Sequence, residues 1–155
     1  MKLKIGDKAP DFSLPDSDGN LIRLSDFLGQ YVVLYVVLYF YPKDDTPGCT
    51  TEACEFNRDE KKFHLKSIKI IGISADSPKI HKKFAEKYKL HFTLLSDIDH
   101  KVCEKYGVWI EKNMYGKKYM GIARTTFIID RKGVIKNIYE KVKPEDHSKE
   151  VLKEI

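Results

Sequence analysis

The chain has 155 residues, 42% hydrophobic and 33% charged, which is enough for one domain with a buried core. The formal net charge is +5, but basic and acidic residues alternate without a long single-sign block, which argues against a nucleic-acid surface. The start, Met1-Lys-Leu-Lys-Ile-Gly-Asp7, turns polar too soon for a signal peptide, and the longest apolar run, 31–41, covers 11 residues, about half a membrane span.

A single domain over 1–155 in a reducing cytoplasm is therefore expected. There, three cysteines are more often catalytic, redox-active or buried than joined as disulfide staples.

Residues 11–24 hold short apolar stretches around the turn Asp16-Ser-Asp-Gly-Asn20, the pattern of an N-terminal β-hairpin. Ser25-Asp26 can cap a short helical turn ending at Gly29. The run 31–41 is aromatic and β-branched, which predicts a central strand buried on both faces. Inside it Tyr31-Val-Val-Leu34 is repeated at once as Tyr35-Val-Val-Leu38. An even shift preserves which side chains face which side of a sheet. The copy still adds roughly 13 Å of extended chain, to be taken up by a longer strand or a bulge.

A helix is expected from near Cys49 to about Lys66, with Ala53, Phe56 and Phe63 at roughly helical spacing. Ile68 to Ala75 reads as a second buried strand. Asp76-Ser77-Pro78 supplies a cap and a proline at the first helical position, opening a helix to about Lys89. Phe92 to Leu95 is a short strand, and Asp97 or Asp99 starts a short helix through Tyr106. A loop or hairpin turns at Tyr115-Gly116. Two strands, Arg124 to Asp130 and Val134 to Tyr139, are joined by Arg131-Lys-Gly133, and Pro144 begins a terminal helix. The alternation predicts an α/β fold with a mixed central sheet flanked by helices.

The chemistry concentrates in Phe40-Tyr-Pro-Lys-Asp-Asp-Thr-Pro-Gly-Cys-Thr-Thr-Glu-Ala-Cys54. A buried strand ends, a Pro/Gly-rich loop turns, and Cys49 stands where a helix should begin. The first N–H groups of a helix lack intrahelical partners, and the dipole there favours negative charge, so a cysteine at that place is stabilised as thiolate, the reactive form. Thiolate character alone is too small a factor for an efficient catalyst. Groups that orient a substrate and stabilise developing charge must supply the rest. Thr46 can place a hydroxyl beside the sulfur, and one of only four arginines (Arg23, Arg58, Arg124, Arg131) can hold it with fixed donors.

Pro42-x-x-x-Thr46-x-x-Cys49 resembles the Pro-x-x-x-Thr-x-x-Cys signature of peroxiredoxins. With Cys54 five positions on, the stretch looks like their bacterioferritin comigratory protein (peroxiredoxin Q) subfamily. The likeness extends over nearly the whole chain, through Gly6-Asp-Lys-Ala-Pro-Asp-Phe12, Ser96-Asp97, Tyr106-Gly-Val108 and Arg124-Thr-Thr-Phe-Ile-Ile-Asp130. It implies a thioredoxin-like fold and reduction of hydrogen peroxide and organic hydroperoxides.

By that resemblance Cys49 is the peroxidatic cysteine, oxidised to a sulfenic acid. Thr46 and Arg124 polarise the peroxide, Pro42 shields the pocket, and Glu52 orients the arginine. Cys54 is the resolving cysteine, whose disulfide with Cys49 a thioredoxin-like dithiol protein reduces. The resemblance implies no metal, haem, flavin or other cofactor, and it favours a monomer or weak homodimer. The repeated quartet departs from it, since one quartet is usual.

Positions five apart on an intact helix have Cα atoms roughly 9 Å apart and about 140° around the axis, whereas a disulfide spans no more than about 7 Å. Pairing of Cys49 with Cys54 therefore requires the first helical turns to unwind. Cys103, beside Val102 and Tyr106 on an apolar face, reads as packing, with an alternative resolving role open. Trp109 and Tyr115 read as core or loop packing before pocket lining. The five histidines (His64, His81, His91, His100, His147) lack ligand spacing, so a metal site is not expected. Two other functions remain: a thiol–disulfide oxidoreductase, against which the missing Cys-x-x-Cys speaks, and a non-enzymatic chaperone-like or nucleic-acid-binding role.

Overall fold

The computed structural model describes residues 2–30 and 32–155. Strand β1 (Ser13–Pro15) and strand β2 (Leu21–Arg23) form the expected hairpin, closed by Asp16, whose Oδ1 accepts from the N–H groups of Asp18 and Asn20. A short 3-10 turn, Leu24–Asp26, follows. Then come β3 (Tyr35–Phe40), α1 (Pro47–Leu65), β4 (Ile68–Ser74), α2 (Pro78–Tyr88), β5 (Thr93–Ser96) and α3 (Lys101–Lys105). Strands β6 (Trp109–Met114) and β7 (Lys117–Ile122) make a second hairpin, and β8 (Thr125–Asp130), β9 (Ile135–Tyr139) and α4 (His147–Glu154) complete the order.

The main sheet runs β5-β4-β3-β8-β9. Strands β3, β4 and β5 are parallel and joined through α1 and α2, while β8 and β9 return antiparallel. This is the mixed sheet flanked by helices that the strand–helix alternation predicts. Central β3 divides its side chains between two cores. Val36, Leu38 and Phe40 pack with Phe12, Leu14, Cys103 and Tyr106 on one face. Val37, Tyr39 and, just past the strand, Tyr41 pack with Ala53, Phe56, Phe63, Phe84 and Val151 of the helices on the other. Burial on both faces is why the segment reads as an unbroken apolar run. Gly72 permits the close packing, since a Cβ there would stand 2.9 Å from the Tyr39 ring. Among the described residues no helix is long and apolar enough to cross a membrane.

Several boundaries differ from expectation. Helix α1 starts at Pro47, two residues before Cys49. Helix α3 starts at Lys101; Asp97 caps it from outside, its carboxylate accepting the N–H groups of Val102 and Cys103. Helix α4 starts at His147 rather than Pro144, because Asp146 takes a left-handed backbone (φ 61°) that a right-handed helix cannot include; its N–H is held by Glu55 Oε2 of α1 at 2.8 Å.

The largest difference concerns the repeated quartet. Tyr31 lies outside the described residues, and Val32 to Leu34 are not strand. Val32 is 73% and Leu34 41% exposed. Only the second copy enters β3, and Val32 to Leu34 neither lengthen the strand nor bulge it. The neighbours set the limit: Tyr35 pairs with Ile68 and with Asp130. Ser67 belongs to the turn leaving α1, and past Asp130 the chain turns through Arg131–Gly133. Ahead of Tyr35 the Leu34 N–H still reaches the Ser67 carbonyl at 2.8 Å, but the Val33 N–H turns back to the Gln30 carbonyl, so the ladder goes no further and the remaining backbone polar groups stay near solvent. Removing one quartet should therefore leave the unfolding free energy within about 1 kcal/mol of the full chain, the scale of a loop-length change. Urea melts would check this, and a loss above about 3 kcal/mol would place the first copy in the core.

Candidate active site

Strand β3 ends at Phe40 and the chain turns through 41–46 into α1. Thr46 is the N-cap, with extended backbone, and Pro47 takes the first helical position, where its missing N–H is no loss. The first intrahelical bond runs from Thr50 N–H to the Thr46 carbonyl at 2.8 Å. The N–H groups of Gly48 and Cys49 are thus left without intrahelical acceptors at the positive end of the helix dipole. Cys49 sits among them, 1% exposed.

Thr125, the first residue of antiparallel β8, pairs with Phe40, the last of β3. Residue 124 therefore emerges at the same sheet end as the loop that follows β3. The Arg124 guanidinium reaches into the first turns of α1, with Nη2 3.4 Å from Cys49 Sγ and Nη1 2.7 Å from Glu52 Oε1. Cys49 and Glu52 lie one helical turn apart and so share a face, which lets one guanidinium hold both. Gly48 gives it room, since a Cβ there would stand 3.1 Å from Arg124 Nη2 and 3.3 Å from Pro144 Cγ.

The site is nearly dry: the Glu52 side chain is 0% and the Arg124 side chain 16% exposed. Burial pushes the Glu52 carboxyl up from its usual 4.5 to about 7, against the downward pull of the Arg124 guanidinium. For Arg124, burial acts against its charge, but Glu52 and Cys49 outweigh it and the guanidinium is held more firmly protonated than usual. The Tyr39 hydroxyl, beneath α1, is pushed well above the usual range by burial and then by the charges of Glu52 and Cys49. Among the described residues neither that hydroxyl nor Glu52 Oε2 has a hydrogen-bond partner.

Of the expected site residues, the fold brings Cys49, Glu52 and Arg124 into contact. Thr46 stands in the turn before them, half-buried, its hydroxyl donating to the Lys43 carbonyl at 2.7 Å. That bond leaves the oxygen lone pairs able to accept. Pro42 is half-buried in the loop after β3. Cys54 is half-buried further along α1, a free thiol pushed up by burial.

Cys103 is fully buried in the core on the opposite face of the sheet from Cys49, and burial together with the Asp97 carboxylate pushes its thiol up. It packs, as its setting suggested. Trp109 is half-buried and stacks on the His100 ring at 4.1 Å. Tyr115 is 100% exposed at the β6–β7 turn, so it neither packs nor lines a pocket. One half-buried residue that sequence reading did not single out, Lys112 of β6, feels the site's charges: burial first and then Arg124 hold its ammonium below the usual lysine range, with Cys49 opposing. A lone lysine in a strand carries no signal that would have singled it out.

Folding makes Glu52 hold its proton more tightly than the unfolded chain does. Its contribution to stability is therefore complete below about pH 4.5 and is lost as the pH rises through about 7. Wild type should lose stability relative to Glu52→Gln between pH 5 and 8, measured by urea unfolding. Parallel pH profiles for the two proteins would contradict this assignment.

The AhpC/TSA family profile matches residues 5–138. The chain is 49% identical over 152 residues to peroxiredoxin Bcp of Bacillus subtilis strain 168, covering 98% of this chain and 94% of that protein. Among solved structures it superposes on a cysteine mutant of PrxQ from Xylella fastidiosa with TM-score 0.91 and 37% identity, over 99% of this chain and 96% of that one. A bacterioferritin comigratory protein of Xanthomonas campestris, described for alkyl peroxide reduction, superposes with TM-score 0.85 and 40% identity, over 92% and 88% of the two chains.

Proposed function

The chain belongs to the AhpC/TSA family of peroxiredoxins and is a thiol-dependent peroxidase of thioredoxin-like fold, and on that premise we propose that Cys49 is the sulfur that reduces the peroxide. The observation that carries the assignment is the 3.4 Å contact between Cys49 Sγ and Arg124 Nη2, with the guanidinium held in turn by Glu52 at 2.7 Å. A fixed cation beside the sulfur can pair with its thiolate, the form that attacks. Its remaining N–H groups are placed to hold a peroxide oxygen next to that thiolate and to stabilise charge as the O–O bond breaks. Thr46 already donates its hydroxyl hydrogen to Lys43, so its oxygen is free to accept the hydrogen of ROO–H and orient the attack. Pro42, in the same loop, helps exclude water.

In the first step the thiolate attacks one peroxide oxygen, an S–O bond forms, and the O–O bond breaks. The leaving oxygen takes a proton and departs as water or alcohol, and Cys49 becomes a sulfenic acid. In the second, the Cys54 sulfur attacks Cys49 Sγ, hydroxide leaves and is protonated to water, and a disulfide remains. A thioredoxin-type dithiol then reduces it by exchange. In the continuous helix α1 the two sulfurs are too far apart to bond, since five residues separate their Cα atoms by roughly 9 Å. The second step therefore requires the first turns of α1 to unwind, which also carries the sulfur away from Arg124. The whole chain is read as one domain, a cytoplasmic monomer or weak homodimer, and its dispersed charge supports small hydroperoxides rather than nucleic acid as its ligands.

A thioredoxin-coupled peroxide assay tests the assignment. Cys49→Ser should be inactive, and Cys54→Ser should consume one peroxide per chain and then stall. Arg124→Gln should lose on the order of 10²–10³-fold in rate, the scale of removing a donor to a developing oxyanion. Turnover by Cys49→Ser at the wild-type rate would refute the reading. Amide exchange should rise across 49–58 on oxidation, and unchanged protection would refute the unwinding.

A further inference from the structure

The loop between β3 and α1 carries two adjacent aspartates in different settings. Asp45 is exposed, its carboxylate bonded to Lys87 Nζ and the Tyr88 hydroxyl of α2, each at 2.9 Å. Asp44 is turned inward, its side chain 0% exposed. Its Oδ1 accepts from the Tyr41 hydroxyl at 2.5 Å, and its Oδ2 lies 2.5 Å from Nδ1 of His81 on α2. The Asp44 N–H donates to Asp76 Oδ2 at 2.8 Å, and Asp76 is held by the Ser74 hydroxyl at 2.7 Å. His81 is 0% exposed, and its Nε2 lies 2.9 Å from the Leu95 carbonyl of β5.

A carbonyl oxygen only accepts, so Nε2 carries a hydrogen. The short contact to Asp44 then requires a second hydrogen between Nδ1 and Oδ2. Both ring nitrogens and both carboxylate oxygens are thereby satisfied inside the protein. One ligand atom from each of Asp44, Asp76 and His81 lies within 4.8 Å of the others, yet these bonds already use the atoms a cation would need. A satisfied core histidine is the ordinary account of such a residue. Stability alone is a weak reason for it, because a buried polar pair can often be replaced by apolar side chains at little cost. What this pair does hold is a loop residue two positions before Thr46 and five before Cys49.

We propose that His81 is a positioning residue for peroxide reduction. Through Asp44 it ties the loop 41–46 to α2 and β5, and so sets where the Thr46 oxygen and the first turn of α1 stand relative to Cys49 Sγ and Arg124. The inference rests on Cys49 being the reacting thiol. Its signature is a loss specific to peroxide, since orienting ROOH needs Thr46 and Arg124 in register, whereas alkylation needs only an accessible thiolate.

The test compares two rates on each purified variant: single-turnover oxidation by hydrogen peroxide and alkylation of Cys49 by iodoacetamide. Cys49→Ser should show neither. A wild type that hydrogen peroxide does not oxidise at Cys49 would refute that assignment instead. His81→Leu should lose about tenfold or more in the peroxide rate, with alkylation within about threefold. In His81→Asn the amide can overlie Nδ1 and donate to Asp44. It should keep the peroxide rate within about threefold while its melting temperature falls, because the Leu95 carbonyl loses its donor. A peroxide-to-alkylation ratio unchanged in His81→Leu, or lowered equally in His81→Asn, overturns the proposal. Should His81→Leu not fold, Asp44→Ala cuts the same tie from the loop side while His81 keeps its bond to the Leu95 carbonyl, and an unchanged ratio there overturns it equally.

Discussion

One guanidinium, inserted between a thiol and a carboxylate on the same face of a helix, organises this protein. A buried charge is tolerable only when paired, and Arg124 is paired twice, to Glu52 and to Cys49. The arrangement depends on sheet geometry before it depends on chemistry. Cys49 follows β3 and Arg124 precedes β8, 75 residues later. Only because the two strands are antiparallel neighbours do the end of one and the start of the other share an edge of the sheet. Burial raises Glu52 and the arginine opposes it, so the carboxylate that orients the cation is itself finely balanced near neutrality.

Helix α1 is held unevenly along its length. Its later turns are tied down on several sides. Glu55 accepts from Asp146 N–H, Asp59 accepts from the Ser148 hydroxyl, and Asn57 bridges to the Lys89 carbonyl and the His91 N–H. Phe56 and Phe63 fill the core beneath them. The first turns begin with a proline and a glycine and are held chiefly through the Cys49–Arg124–Glu52 cluster, with Ala53 buried below. On the proposed mechanism, oxidation removes the charge that pairs the sulfur with Arg124, and the weakest part of the helix is the part that opens. Such low-stability ends are where moving functional segments are usually found. Upstream, Asp44 and Asp45 fasten the preceding loop to α2, so opening has a boundary on both sides.

Much of this was legible in the residues. The apolar run after the first hairpin, the Ser77–Pro78 helix start and the strand pair around Arg131–Gly133 are local signals, because periodicity and turn chemistry act within a few positions. Cys49 was legible as a helix-start cysteine for the same reason. The limits of β3 were not. The two quartets are identical in composition, and what separates them is where β4 and β8 begin and end, which no local pattern carries. Nor were the partners of His81, since its spacing to Phe84 and Tyr88 marks only a buried helix face. Its partners Asp44 and Leu95 are 37 and 14 residues away.

The sequence by itself determined the kinds of element, their order, and the residue types able to activate a sulfur. The tertiary structure alone decided which copy of the quartet pairs, which carboxylate takes the arginine, and which histidine lies under the loop. The reason is range: propensity and capping act between neighbours in the chain, while a buried ion pair exists only where the sheet brings distant segments together.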